Sequence, residues 1–226
     1  MMSIPAYKRK IDDKNQQISL KMLTTRLSLT HDQEKCVGCQ TCKIVCPKEA
    51  ISRGPVAATL RGSKVPKVVF DQNQCSFCGL CMYLCPFGAI AVEIDGNPND
   101  QIQKEKAVPK LEVEFVELKN KNKAKSYFEG EITINSDLCP GGCSSCEIVC
   151  PTGAISIPKS EHPWDKSPKV QVDKEKCIFC GACVNSCPSE SIELKRTKVK
   201  YSGEFTDPFW PNIVSKLTTP LKSPQK

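Results

Sequence analysis

The chain has 226 residues, a formal net charge of +7 and an apolar share of 39% that includes 16 cysteines. Without the cysteines roughly 32% of the residues are apolar, which is thin for a core built from side chains alone. No apolar run approaches the roughly 20 residues of a membrane-spanning helix, so the sequence predicts a soluble or peripheral protein without a membrane span.

The N-terminal arm, residues 1–21, is polar, mixed in charge and without a motif. Its basic residues are not followed by the apolar stretch of a secretory signal peptide. We therefore do not expect a secreted protein that is held together by disulfides.

The cysteines form four runs of four and leave none over. Within a run the first three cysteines recur every third residue, and the fourth comes four residues after the third and directly precedes a proline. The third run has one extra residue in its first gap, between Cys139 and Cys143. The runs are Cys36, Cys39, Cys42 and Cys46; Cys75, Cys78, Cys81 and Cys85; Cys139, Cys143, Cys146 and Cys150; and Cys177, Cys180, Cys183 and Cys187.

This spacing argues against two other uses of cysteine. A disulfide framework does not require the same spacing four times over. A structural zinc ion is held by two Cys-x-x-Cys pairs, whereas here a third cysteine follows every pair at a fixed distance. A cube of iron and sulfide offers separate iron corners to such sulfurs, so we predict [4Fe–4S] clusters. Because the clusters then supply much of the core, we expect the metal-free chain to be largely unfolded.

Each run lies between two short apolar segments that predict strands. The residues between its last two cysteines suit one helical turn, which the following proline ends. The unit of strand, cluster loop, short helix and strand thus occurs four times and predicts an α+β fold. The segments before the runs begin near Leu23 and at Val68, Ile132 and Val170, and those after the runs begin at Ala50, Ala89, Ala154 and Ser191.

The gaps between runs indicate how the units pair. The first and second runs are 28 residues apart and the third and fourth 26, whereas 53 residues separate the second from the third. We therefore predict two tandem ferredoxin-like modules, each with two clusters, short β-hairpins and short helices. The predicted division is an N-terminal arm at 1–21, a first module at 22–96, a linker with a β-hairpin at 97–130, a second module at 131–200 and a C-terminal tail at 201–226.

The linker and the tail have local patterns of their own. Residues 111–115 alternate with period two, residues 120–125 suit a turn, and residues 127–134 suit a returning strand, which together predict a hairpin. In the tail, Asp207 and Pro208 predict the start of a helix. Its apolar face, formed by Phe209, Ile213 and Leu217, is expected to pack on the chain's own module or to hold a partner.

The runs resemble those of bacterial ferredoxins, in which three cysteines hold one cube and the fourth ligates the other cube of the pair. The resemblance implies four [4Fe–4S] clusters with all 16 cysteines as iron ligands. A rival arrangement, known from the four-cluster subunits of molybdopterin oxidoreductases, pairs the first unit with the fourth and the second with the third. With sequential pairing the ligand sets are Cys36, Cys39, Cys42 and Cys85; Cys75, Cys78, Cys81 and Cys46; Cys139, Cys143, Cys146 and Cys187; and Cys177, Cys180, Cys183 and Cys150.

The whole span from Leu23 to Val199 is similar to polyferredoxins. Three phrases look like the polyferredoxin subunit of archaeal formylmethanofuran dehydrogenase, whose members usually carry about twice as many clusters. These phrases are residues 129–134 leading into Cys139, residues 151–155 and residues 195–199.

This resemblance implies a cytoplasmic, methanogen-type complex in which the chain relays low-potential electrons between redox subunits. The enzyme at one end of that relay is then a CO2-reducing formylmethanofuran dehydrogenase. Two alternatives stay open, namely a subunit of another molybdopterin oxidoreductase or hydrogenase, and a freely diffusing polyferredoxin.

The positive charge invites a nucleic-acid function, but the clusters account for it. Each oxidised cube with its four thiolates carries about −2, so four cubes bring the net charge to about −1. An electron carrier needs no acid–base or nucleophilic groups, and His31 and His162 are expected to be ordinary surface or packing residues. We therefore predict no catalytic site, no nucleic-acid partner and no small-molecule substrate of the chain's own.

The residue after the second cysteine of a run differs between units. It is glycine in two of them, at Gly79 and Gly181, but Gln40 in the first and Ser144 in the third. Here the backbone approaches the cube and points amides at sulfur, and such hydrogen bonds tune the potential. The four cubes are therefore expected to differ in potential. The aromatic residues expected to shield the cubes from water are Phe77, Phe87 and Phe179.

Overall fold

The computed structural model describes residues 6–55, 62, 65–139, 143–158, 170–205 and 207–222. Within these ranges short strands and short helices alternate. The helices are α1 (Thr41–Val45), α2 (Leu80–Tyr83), α3 (Gln101–Lys104), α4 (Ser145–Val149), α5 (Ala182–Ser186) and α6 (Phe209–Thr218). The strands are β1 (Ala6–Ile11), β2 (Asn15–Lys21), β3 (Arg26–Asp32), β4 (Ile51–Arg53), β5 (Val68–Phe70), β6 (Ile90–Ile94), β7 (Asn97–Pro98), β8 (Lys110–Leu111), β9 (Glu114–Glu117), β10 (Lys123–Ser126), β11 (Phe128–Ile134), β12 (Ile155–Ser156), β13 (Gln171–Val172), β14 (Ile192–Val199), β15 (Tyr201–Ser202) and β16 (Leu221–Lys222).

Crossed strand pairs build each module from two consecutive units. In the first module β3, which leads into the first cysteine run, pairs with β6 after the second run, and β4 pairs with β5. In the second module β11 pairs with β14, and β12 pairs with β13. Every one of these pairs is antiparallel. The predicted α+β fold with two modules is confirmed, and the strands join the units in sequential order.

The N-terminal residues extend the sheet of the first module. β1 and β2 form an antiparallel hairpin, and β2 pairs with β3, so the sheet has the strand order β1-β2-β3-β6-β7. The fully buried positions of β2 are Gln16 and Ile18. The sequence predicted only an arm without a motif here, because glutamine at an inward position hides the alternation of a half-buried strand.

The hairpin of the linker exists, but with different strands from the predicted ones. β9 pairs with β10 across a turn that the amide of Leu118 closes by donating to the carbonyl of Asn122. The predicted returning strand instead forms β11, which pairs with β14 in the second module. That part of the prediction was wrong because pairing with the long strand β14 places Phe128 and Ile132 in the core, where both are buried.

The C-terminal helix α6 packs between the two modules. Its start is the predicted one, and the Asp207 carboxylate accepts a hydrogen bond from the amide of Phe209 at 2.8 Å. The buried face contacts Leu84 of the first module and Val199 of the second. This face consists of Trp210, Ile213 and Leu217, so the tail is part of the core. Among the helices in the described ranges, none has the length and apolar character to cross a membrane.

Candidate functional site

The cysteine loops bring together thiols that lie far apart in the sequence. Three of the resulting groups line cavities, and each combines three thiols of one run with the last thiol of the other run in its module. Site 1 consists of Cys36, Cys39, Cys42 and Cys85; site 2 of Cys75, Cys78, Cys81 and Cys46; and site 4 of Cys177, Cys180, Cys183 and Cys150.

Each of these three groups surrounds a small enclosed space. Each cavity has a volume of about 20 Å³. Across the described ranges no three His, Cys, Asp or Glu side chains converge on one point that holds a single metal ion. The four sulfurs of a site instead face a shared volume from different sides.

The remaining predicted set, which we call site 3, is Cys139, Cys143, Cys146 and Cys187. Burial, and after it the nearby Cys187 and Cys143, raise the pKa of the Cys146 thiol to about 11, so these three thiols are neighbours. Residues 140–142, which include the one extra residue of the third run, lie outside the described residues, and so does His162. The predicted effect of the longer loop therefore stays a prediction.

Burial and mutual repulsion raise the pKa of several of these thiols, which favours their protonated form in the absence of metal. Burial, with the charge of Cys39 next, raises the pKa of Cys36 to about 12. In site 4 burial, followed by the charge of Cys177, raises the pKa of Cys183 to about 12. Four thiolates around one cavity therefore need a positively charged group between them, which is what the iron of a cluster supplies.

Cys187 is an exception among the thiols. Burial acts to raise its pKa, but hydrogen bonds with Ser191 and Ser189 outweigh burial and lower it. The Ser191 and Ser189 hydroxyl oxygens lie 3.3 and 3.5 Å from its sulfur. A backbone amide also donates to a last thiol of a run elsewhere, since that of Ala50 lies 3.3 Å from the sulfur of Cys46. The chain thus provides hydrogen-bond donors for the last cysteine of these runs, which shares a cavity or a site with the other run of its module.

The residue after the second cysteine adopts a left-handed backbone in three units. Its φ is 60° at Gln40, 83° at Gly79 and 88° at Gly181, each directly before the short helix of its unit. Glycine suits this conformation, and a β-carbon at Gly181 would lie only 2.8 Å from a methyl carbon of Leu221. Ser144 in the third unit has a φ of −100° instead, so the third loop follows a different path.

Two of the buried polar side chains that line the cavity of site 1, His31 and Gln40, have nitrogens without a partner among the described residues. His31 is 1% exposed and packs against Phe70, with 5.5 Å between the ring centroids. Neither ring nitrogen of His31, nor the amide nitrogen of Gln40, has a hydrogen-bond partner in the described part of the chain. A buried donor without a partner costs about 1–3 kcal/mol, so both side chains fit a group in the cavity that accepts hydrogen bonds. Cluster sulfurs are such acceptors. The packing of His31 against Phe70 agrees with the packing role that the sequence predicted for this histidine.

The aromatic residues expected to shield the cavities differ in burial. Phe77 lines the cavity of site 2 and Phe87 that of site 1, and both are buried. Phe179 is half-buried. It packs against the core of the second module and against the apolar cluster that joins the two modules. The first two therefore occupy positions that exclude water from thiols.

Sites 1 and 4 meet where the two modules touch. Cys39 and Cys180 belong to one apolar cluster, together with Phe87 and Ile178. Burial raises the pKa of Cys180, and Cys39 is the charged neighbour that raises it most. Thiols of sites 1 and 4 are therefore close enough to interact across the contact between the modules.

A wider cavity of about 560 Å³ opens beside the same contact. It reaches Cys36 of site 1 and Cys150 of site 4. The Lys67 ammonium donates to the backbone carbonyl of Cys36. The lysines that line the cavity are Lys35, Lys67, Lys119 and Lys123. These cations suit the negative charge that loaded clusters bring to sites 1 and 4.

Comparison with known proteins agrees with this geometry. The polyferredoxin protein MvhB of Methanothermobacter marburgensis is 35% identical over 72 residues, which are 31% of this chain and 17% of that protein. NADH-quinone oxidoreductase subunit I of Pelobacter propionicus is 33% identical over 75 residues, which are 30% of this chain and 39% of that protein. The chain thus spans less than half the length of these curated relatives.

One solved structure matches along the whole chain. It is a chain in the formate dehydrogenase–heterodisulfide reductase–formylmethanofuran dehydrogenase complex from Methanospirillum hungatei, with a TM-score of 0.84 and 28% identity. The match covers 100% of this chain and 96% of that one. The family model described as 4Fe-4S dicluster domain matches residues 24–89 and 138–191. Since these two matches take in more than half of the residues and lie in different modules, the chain belongs to the 4Fe–4S dicluster domain family.

Proposed function

We propose that the chain is an electron-transfer subunit that holds four [4Fe–4S] cubes and relays electrons within a larger redox complex. The contact between Cys39 and Cys180 carries this proposal, because it joins the sites of both modules into one continuous series. An isolated pair of modules would not need thiols of two different sites in a common buried cluster.

The proposed ligands are the thiols of sites 1 to 4, and each site holds the cube of the same number. Every cube takes three thiols from one run and one from the partner run. The converging thiols around the cavities support this assignment for cubes 1, 2 and 4. For cube 3 the support is the proximity of Cys146 to Cys143 and Cys187. The division into an arm, two modules, a linker and a tail at the predicted boundaries is part of the same proposal.

The thiols also suggest the order of the relay. Burial raises the pKa of Cys42 of site 1, and Cys81 of site 2 is close enough to contribute, after Cys39 and Cys36 and before Cys85. Cys146 of site 3 acts on Cys183 of site 4 in the same way. Together with the contact between sites 1 and 4, this gives the order 2–1–4–3. Redox partners are then expected at the two ends, near sites 2 and 3.

The cubes, when bound, supply one-electron chemistry, and the chain's own residues prepare their surroundings. Phe77 and Phe87 exclude water from two of the sites. The amides of Ala50 and Ala89 donate to the sulfurs of Cys46 and Cys85 at 3.3 and 3.4 Å, which stabilises the thiolate form. Since no proton or bond changes are required, the proposal includes no catalytic residue.

We further propose that the complex is a cytoplasmic assembly with a formylmethanofuran dehydrogenase at one end of the relay. The likeness to a chain of the Methanospirillum hungatei complex over the whole length supports this choice. The likeness to NADH-quinone oxidoreductase subunit I favours an alternative, in which another oxidoreductase is the partner. Native purification tests both: a fixed stoichiometry with formylmethanofuran dehydrogenase subunits supports the first, and a chain that purifies alone contradicts membership of a complex.

The number of cubes is tested by anaerobic iron and sulfide analysis. Four cubes require about sixteen iron and sixteen sulfide ions per chain. Values near eight of each would contradict the four-cube proposal, and zinc in place of iron would contradict the assignment of the cysteines.

The crossed ligand assignment is tested by replacing four cysteines at once with alanine. Replacing the set of site 1 should remove one cube cleanly and leave about twelve iron ions. A matched variant keeps Cys85 and replaces Cys46 instead, so that a whole run is removed. It should lose cube 1 and leave cube 2 with three thiols, which an EPR signal of a three-iron cluster would report. If this signal appears in the first variant and not in the second, the runs do not cross.

A further inference from the structure

Arg196 is a buried cation at the contact between the two modules. The residue lies in β14 and is 0% exposed, which is rare for an arginine without a paired anion. In the described part of the chain no carboxylate forms an ion pair with Arg196. Burial lowers the pKa of its guanidinium, and the nearby Cys39, Tyr127 and Cys180 act in the opposite direction.

Backbone carbonyls and one ring hold the guanidinium in a fixed place. Its Nε donates to the carbonyl of Phe179 at 2.9 Å, and one terminal nitrogen donates to the carbonyl of Cys180 at 2.8 Å. The same terminal nitrogen lies 3.5 Å from the hydroxyl of Thr41 in the first module. The guanidinium carbon also lies 4.2 Å from the ring centre of Phe128. The charge is therefore fixed between the loops of Cys39 and Cys180.

Strand β11, which pairs with β14, leaves space beside Arg196. The register between β11 and β14 shifts between Glu129 and Gly130, because Thr197 of β14 has no partner in β11, directly beside Arg196. A β-carbon at Gly130 would lie 2.6 Å from the carbonyl oxygen of Lys195 and 3.1 Å from the α-carbon of Arg196. The bulge and the missing side chain allow the two strands to approach closely at this point.

A buried charge without a fixed partner costs several kcal/mol, in the order of magnitude found for ions in protein interiors. Neutral carbonyls and an aromatic ring offset only part of that cost. The cubes proposed at sites 1 and 4 would each bring about −2 when oxidised and −3 when reduced, so they offset the rest. The attraction grows when either cube takes up an electron, which favours the reduced form.

We propose that Arg196 is a positioning residue whose fixed positive charge raises the reduction potentials of cubes 1 and 4 above those they would have without it. The inference rests on the proposed function, since it requires cubes at these two sites. Each electron comes from a reduced partner protein and leaves to the next cube, and no bond forms or breaks. Arg196 then makes the middle of the relay a favourable place for an electron and helps it to cross between modules.

The test is an anaerobic titration with dithionite, followed by EPR, of the full chain and of three variants. Arg196→Met removes the charge, and two of the four midpoint potentials should fall while the other two stay. Arg196→Lys keeps a positive charge, so it should restore most of both midpoints. Arg26→Met is the matched control, because it removes an exposed arginine of β3 whose charge water and salt screen, and it should move no midpoint.

Every other pattern of midpoints in the Arg196→Met variant overturns the inference, including no fall, a fall in only one, or an equal fall in all four. If Arg196 had only a structural role, Arg196→Met would change the thermal stability and leave all four midpoint potentials unchanged. If Arg196→Met does not load its cubes, iron analysis of Arg196→Lys decides. Restored loading supports a requirement for charge, and failed loading assigns Arg196 a structural role.

The proposed function has its own separate readout. If the parent protein contains about sixteen iron ions per chain, the four-cube proposal is supported whatever the midpoint potentials of the Arg196 variants are. A parent with fewer iron ions refutes the four-cube relay before any variant is compared.

Discussion

The side-chain amide of Asn185 donates a hydrogen bond to the backbone carbonyl of Cys39 at 3.2 Å, across 146 positions of the chain. The same amide nitrogen lies 3.4 Å from the carbonyl oxygen of Gly38 and 3.2 Å from that of Gly181. Arg53 of the first module in turn donates to the backbone carbonyl of Asn185. One asparagine thus joins the cluster loops of the two modules.

Replacing Asn185 with leucine should weaken the contact between the modules. The change leaves carbonyls of Cys39 and Gly38 without a donor, so the free energy of unfolding should fall by about 1–3 kcal/mol. Chemical denaturation of the loaded protein measures this loss. Asn97→Ala, at an exposed position in β7, is the control and should have little effect. Equal stability of the two variants would show that the contact does not hold the modules together.

Truncating the buried face of α6 should destabilise both modules together. Leu217 is 0% exposed, so Leu217→Ala should cost about 2–5 kcal/mol through lost burial and a cavity. Lys216→Ala on the exposed side of the same helix should change stability by no more than about 0.5 kcal/mol. The measurement is thermal unfolding followed by cluster absorbance. Separate loss of the two modules in the Leu217→Ala variant would contradict a core shared through this helix.

Gln40 should tune one cube. Its unpaired amide lines the cavity of site 1, where it is placed to donate to a cluster sulfur and to stabilise the reduced form. Gln40→Gly suits the left-handed backbone with a φ of 60° and imitates the second and fourth units. One of four midpoint potentials should fall in an EPR-monitored titration. Ser144→Ala, at the matching and exposed position of the third unit, should leave all four unchanged.

The metal-free chain should lose its remaining structure as the pH rises. Burial, followed by the charge of Cys39, raises the pKa of Cys85 from 9.0 to about 11 in the folded chain. The unfolded chain therefore releases its thiol protons first, and folded stability is present below pH 9 and is lost as the pH rises toward 11. Circular dichroism of chelator-treated protein between pH 7.5 and 11 measures this change. The loaded protein is the control, because iron keeps its thiolates paired. Greater stability of the metal-free chain at pH 10.5 than at pH 7.5 would contradict the prediction.

Local sequence patterns were sufficient to predict much of the architecture. The strands that flank each run form where the apolar segments begin, at β3, β5, β11 and β13 before the runs and at β4, β6, β12 and β14 after them. The helix of the tail begins after Asp207 because its cap and its apolar face lie within one short stretch. The predicted hairpin of the linker was wrong in its second strand, since the choice of β14 rather than the preceding strand as the partner of β11 depends on burial that the sequence does not display.

The sequence by itself determined the family, the α+β units and which cysteines belong to one run, because spacing along the chain restricts what a short loop can surround. Only the tertiary structure decided that Cys39 meets Cys180, that His31 and Gln40 face the same cavity, and that Arg196 is buried between two sites. These relationships join residues more than a hundred positions apart or depend on which side chain a strand turns inward. They arise when strands and loops pack within a module and when the two modules bury their contact, and the free energy of that burial depends on the folded surfaces and not on any local stretch of the chain.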